Sequence, residues 1–247
     1  AIVTLKCAKK CNAINGAMSN ALIDAQQAVS ADDAFSAVVL TGAGSSFRAG
    51  GDIGSMRERL EAPRGRVWFN GWKRQKQTHR LISTIYHMDK PVIAAVNGAA
   101  SGLGCDLALA CDFIMAGPAA SFSMTYLRRG LIPDGGGLYF LPRRVGTTRA
   151  KELIFSARTI AADEAEQIGL ADRLADADAL LDDACQWAKS LCFGPASAVA
   201  LSKSILNRSV DLPLETVFAL GSEAQSICYA SDEHHDAVTA FLDKSSR

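Results

Sequence analysis

With 247 residues the chain is long enough for one large domain with a sizeable core, and 49% hydrophobic against 21% charged content excludes a disordered chain. Its 26 basic and 26 acidic side chains cancel, so no overall field draws it to nucleic acid or a membrane surface, and an anionic ligand must be held by local groups. Seven scattered cysteines without a C-x-x-C pair argue against a disulfide framework and for a reducing, cytoplasmic setting, with Cys105 and Cys111 as buried small hydrophobes. No stretch approaches the roughly 18 apolar residues of a membrane span, and no secretory leader is read.

Ala1 to Leu5 reads as a strand, and because the chain starts inside it, further residues are expected ahead. Ala21, Leu22, Ala25, Ala28 and Val29 recur at helical spacing before a strand at Ala37 to Thr41. Ile53 to Arg66 is charged and holds Pro63 and Gly65, which predicts a loop or frayed helix. A longer helix is expected from Val67 to Met88, with Trp68, Trp72, Ile82 and Ile85 on a buried stripe. Pro91 ends it. Val92 to Val96 is wholly apolar, as in a strand covered on both faces. After Gly102 a helix carries Leu107, Ala108 and Ala110, followed by a strand at Asp112 to Ala116 and an extended piece around Phe122. Such alternation predicts an α/β fold with repeated crossovers. From Thr147 onward the pattern is almost purely helical, with Pro195 and Pro213 suited to first turns.

Several motifs are excluded. Phe47 stands where a dinucleotide fingerprint beginning at Gly42 needs its third glycine. No phosphate loop with Lys-Ser or Lys-Thr exists, and Ser101 lacks the glycine of a nucleophile elbow. His79, His87, His234 and His235 give no metal-ligand spacing. What stands out is two strands that each run into a glycine-rich turn, Phe47 to Asp52 and Asn97 to Asp106. Such turns can aim two backbone N–H groups at one oxygen and stabilise charge that appears there only during reaction.

With Gly130 to Gly137, which contains Pro133-Asp134-Gly135-Gly136, and Ala161 to Leu170 ahead of a helical tail, these turns resemble the crotonase superfamily of enoyl-CoA hydratases and isomerases. The resemblance covers nearly the whole chain. It implies a crotonase-like spiral of ββα units over residues 1–190, carrying an acyl-CoA site, and a C-terminal helical trimerisation region over 191–247. It further implies a homotrimer or homohexamer, a coenzyme A thioester as substrate, and no prosthetic group or metal. Gly51 and Leu103 would supply the two N–H groups of the oxyanion hole. Lys9 or Lys10 would lie near the coenzyme phosphates, Arg48 and Ala49 beside the adenine, and Ile53 would bind by backbone, with Asp52 a turn acceptor beside them. Phe241 to Lys244 matches a segment that reaches a neighbouring subunit's ligand.

The two glutamates that hydratases of the family use fall, by counting, on Asp106 and Tyr126. Aspartate is one methylene shorter than glutamate, and tyrosine, with a reference pKa of about 10, is a poor base near neutrality. Asp134 stands where an aspartate does the chemistry in several isomerase branches, and one carboxylate suffices to move a double bond. The resemblance therefore implies an enoyl-CoA isomerase using Asp134. A hydratase using Asp106 with Asp134, and a non-catalytic acyl-CoA-binding protein, remain as alternatives. Asp134 also suits a turn cap, Asp106 a helix-dipole partner, and Tyr126, with Trp68, Phe69 and Trp72, a pocket wall.

Overall fold

In the computed structural model, which describes residues 1–7, 12, 16–49, 57–58 and 60–245, one unit recurs: a strand enters a large sheet, the next strand enters a small one, and a helix follows. After strand β1 (Ile2–Leu5) and helix α1 (Gly16–Ala31), the units are β2 (Val38–Gly42), β3 (Arg48–Ala49), α2 (Arg64–Tyr86); β4 (Val92–Val96), β5 (Ala99–Ser101), α3 (Leu103–Ala110); and β6 (Phe113–Ala116), β7 (Ser121–Ser123), α4 (Gly137–Val145). Then come α5 (Thr147–Ser156), β8 (Thr159–Ala161), α6 (Ala162–Gln167), β9 (Arg173–Leu174) and α7 (Leu180–Leu191). The large sheet runs β1-β2-β4-β6-β9, all parallel, and the small sheet runs β3-β5-β7-β8, with only β8 antiparallel. This is the α/β spiral of ββα units expected of a crotonase-like chain, and it is followed by a helical region, α8 (Ala196–Ser209), α9 (Leu214–Tyr229) and α10 (Asp232–Ser245).

Strand periodicity explains why β2 and β4 are apolar throughout. Val38, Leu40, Val92, Ala94, Val96, Ile114 and Ala116 turn to the main core, while Val39, Ile93, Ala95 and Met115 turn to Leu180, Ala184 and Trp187 of α7. Cys105 and Cys111 are both in the main core, where burial raises their thiol pKa values, Cys111 to about 12. Pro195 and Pro213 sit at the N-caps of α8 and α9, one position ahead of the first turn.

Three expectations are corrected. Helix α2 starts at Arg64, directly after an N-cap at Pro63, and ends at Tyr86. Trp68 and Trp72 are not buried, at 71% and 50% exposure; only its C-terminal half, at Leu81, Ile82 and Ile85, enters the core. Beyond Thr147 the chain also forms β8 and β9, strands too short to carry a readable alternation.

The C-terminal region is pinned to the core by α8. Lys203 donates to Asp112 Oδ2 at 2.7 Å, the same oxygen that accepts the Val92 N–H, and Asn207 donates to the Tyr86 carbonyl at 2.8 Å. Burial raises the Asp112 carboxyl pKa and Lys203 restrains the rise. Lys203→Met would leave that carboxylate buried and unpaired, with an expected loss of about 3 kcal/mol in urea unfolding. Adding Asp112→Asn is expected to recover much of it.

Candidate active site

Strands β3 and β5 are parallel neighbours, with Arg48 opposite Ala100 and Ala49 opposite Ser101. The segments that follow them therefore start from adjacent points on one sheet edge, about 4.8 Å apart. On the β5 side the chain turns at Gly102, whose φ of +53° is left-handed and whose N–H donates to the Ser123 carbonyl at 2.9 Å. Helix α3 begins at the next residue, so the Leu103 N–H is a first-turn donor with no acceptor inside the helix, at the positive end of its dipole. Gly51 lies outside the described residues, as do Lys9, Lys10, Asp52 and Ile53.

Helix α3 packs directly onto β3. A Cβ on Gly104 would overlap the Arg48 carbonyl oxygen, so only glycine permits the approach. One turn into the helix, Asp106 is completely buried. The Tyr126 hydroxyl donates to its Oδ2, while Oδ1 has no partner. The loop after Asp134 closes over the carboxylate with Gly135 and Gly137, and a Cβ on Gly137 would come within 2.6 Å of Oδ1. Burial raises the Asp106 pKa to about 7; the nearby Asp134 charge adds to this, and the Tyr126 hydroxyl, Arg48 and the Gly135 N–H hold it back. The Tyr126 phenol is driven far above its usual value by burial and by Asp106, so it stays protonated.

Arg48 does not present its side chain to a surface ligand. Its guanidinium is 1% exposed near Asp106 and Tyr126, and Nε and Nη1 lack partners. Burial lowers its pKa to about 10, which leaves it charged at neutral pH. An adenine contact at this strand would have to come from backbone.

Asp134 has the opposite environment. Its side chain is 23% exposed, and Gln75 Nε2 donates to Oδ2. Arg74 Nη2 lies 4.0 Å from the same oxygen, and His79 Nε2 donates to the Asp134 carbonyl at 3.0 Å. The loop is thus gripped by one face of α2. Arg74 and Gln75 were not picked out from the sequence and His79 was weighed only as a metal ligand, although Gln75 and His79 stand four apart on a helix, the spacing of a shared face. Phe241 is 70% exposed in α10, distant in sequence from these groups, and the Lys244 side chain lies outside the described residues. Among the described residues, no three His, Cys, Asp or Glu side chains come together as a metal site.

The whole chain, residues 1–247, matches the family described as enoyl-CoA hydratase/isomerase. It is 38% identical over 245 residues to the short-chain-enoyl-CoA hydratase of Clostridium acetobutylicum, across 99% of this chain and 91% of that protein. It is 33% identical over 244 residues to the 1,2-epoxyphenylacetyl-CoA isomerase of Escherichia coli, across 99% of this chain and 92% of that protein. The crystal structure of an enoyl-CoA hydratase from Bacillus anthracis superposes with a TM-score of 0.89 at 29% identity, covering 98% of this chain and 92% of that one.

The raised pKa of Asp106 links stability to pH. In the unfolded chain the group releases its proton near 3.8, in the folded chain near 7, so between these values the folded state holds more protons. This contribution is fully present below about pH 4 and is lost as pH rises through 7. Asp106→Asn is expected to remove that part of the slope when urea unfolding is compared at pH 5 and pH 8.

Proposed function

Because the chain belongs to the enoyl-CoA hydratase/isomerase family, the crotonase superfamily, and is an enzyme of that type, we propose that it is an enoyl-CoA isomerase with Asp134 as its acid/base. Enzymes of this family act on coenzyme A thioesters. Asp134 takes a proton from C2 of a 3-enoyl thioester. The C2–H electron pair moves into the C2–C1 bond, and the charge collects on the thioester oxygen. The N–H groups of Gly51 and Leu103 hold that oxygen, a contribution worth about 2.7 to 4 kcal/mol per donor. Asp134 then returns the proton at C4, the double bond shifts to C2–C3, and the base is regenerated.

The observation that carries this assignment is the contrast between the two carboxyl groups. Asp106 is sealed, with Tyr126 on one oxygen and glycine backbone against the other, whereas Asp134 keeps an open face and a fixed orientation. A single base is what allylic isomerisation requires. The second reading, hydration with Asp106 and Asp134 as the two groups, is favoured by the name of the Clostridium relative and by an Asp106 pKa near 7, suited to a proton donor at neutral pH. It requires the Tyr126 cap to open.

Coenzyme A would be held by Lys9 or Lys10 at the phosphates and by the backbone of Ala49 and Ile53, with Phe241 and Lys244 contributed by a neighbouring subunit. A homotrimer, or a pair of them, is supported by large apolar side chains left exposed on α8 to α10, among them Leu206, Val210, Leu214, Phe218 and Ile227. A cytoplasmic setting is supported by six unbridged cysteines among the described residues. No helix among those residues is long and apolar enough to cross a membrane.

Asp134→Asn is expected to lower isomerisation, and exchange of the C2 proton with deuterated water, by about 1,000-fold while acyl-CoA affinity changes less than about threefold. Full-rate exchange in this variant would remove Asp134 as the base. A wild type that binds acyl-CoA but catalyses neither exchange nor hydration would be a binding protein. Light scattering is expected to give about three or six times the 26.2 kDa chain mass.

A further inference from the structure

Helix α2 has one face whose direction is fixed by contacts at three successive levels. Ile82 packs beneath the Asp134 loop, where a Cβ on Gly136 would lie 3.6 Å from its Cγ2. His79 donates to the Asp134 carbonyl, and Gln75 donates to the Asp134 carboxylate. At 3.6 residues per turn, Trp68, Trp72, Gln75, His79 and Ile82 share an arc of roughly 80°. The two tryptophans therefore continue the face that holds Asp134, beginning one turn beyond it. With a rise of about 1.5 Å per residue, they extend it by about 4 to 10 Å past Gln75.

These rings are neither core nor scattered surface residues. Trp68 meets Phe69 edge-on at 5.6 Å between centroids, and Phe69 stacks with Trp72 at 5.9 Å and 20°. Lys76 Nζ lies 4.0 Å from the Trp72 ring centre and Lys73 Nζ 4.7 Å from that of Phe69. Over its whole length α2 carries Arg64, Arg66, Lys73, Arg74, Lys76 and Arg80 and no acidic residue, in a chain whose charges cancel. An alkyl chain laid along this wall would bury apolar area against the rings but strip water from the ammonium groups without giving them a partner. The face of a planar ring offers a stacking partner to the indoles and an electron-rich surface to the cations.

We infer that the Trp68–Trp72 face of α2 is the acyl-binding wall of the Asp134 site and selects thioesters whose acyl group carries a planar, uncharged or anionic ring a short distance beyond the reacting carbons. This rests on the acyl-CoA reading above, but not on which reaction follows. The test therefore uses two saturated, unreactive probes with the same carbon number, 3-phenylpropanoyl-CoA and nonanoyl-CoA, with binding followed calorimetrically on the full chain. The ring-bearing thioester is expected to bind at least fivefold tighter. Trp72→Leu and Trp68→Leu should each reduce that preference severalfold while nonanoyl-CoA affinity stays within about twofold, and Trp72→Phe should retain it.

Equal or stronger binding of nonanoyl-CoA by the wild type overturns the inference and leaves the acyl-CoA reading standing. Failure of both thioesters to bind overturns both. A change in oligomeric mass in the tryptophan variants, with the ring preference intact, would assign this face to a second copy of the chain instead. Both tryptophans are at least half exposed, so folding of the variants does not depend on them.

Discussion

The close approach of α3 to β3 is the contact on which the rest of the site depends. Because residue 104 has no side chain, the helix lies directly on the Arg48 carbonyl, and the parallel register of Ala49 with Ser101 brings the ends of β3 and β5 to the same edge. The start of α3, with its unsatisfied N–H groups, is delivered to that edge by the same stacking. No side chain at the edge has to be in a particular rotamer for this to hold. The Leu103 N–H is positioned by the backbone of the spiral, independently of the side chain at 103.

Around that fixed edge the carboxyl groups divide into a buried one and an open one. Asp106 sits among Tyr126, Arg48 and glycine backbone, where a full negative charge is costly and a neutral or hydrogen-bonded carboxyl is favoured. Asp134 sits on a loop where Gln75 holds its side chain and His79 its carbonyl. One helix thus holds Asp134 with its middle turns and enters the core with its last turns. Its first turns present aromatic rings on the same side.

How much of this was legible in the sequence depended on the range of the interaction. Val92 to Val96 and the helix opened by Gly102 declared themselves, because their burial is a property of the local run of residues. The turn at Gly102 was legible for the same reason. Two-residue and three-residue strands such as β9 and β8 were not, since their pairing partners supply nearly all their stability. Trp68 and Trp72 misled because a helical stripe of large apolar residues predicts burial without saying what buries it. Arg48 misled in the other direction, since only the packing of α3 decides that this arginine turns inward. The grip of Gln75 on Asp134 joins residues 59 apart, and nothing local announces it.

The pair of glycines over Asp106 also ties helix and loop to one another. A Cβ at 135 or 137 would overlap the Asp106 oxygens, so the space beyond this carboxylate is bounded by the loop that carries Asp134. Side-chain length at position 106 and the placement of Asp134 are therefore coupled. A change at either place is felt at the other, because helix α3 and the 135–137 loop meet across one carboxylate.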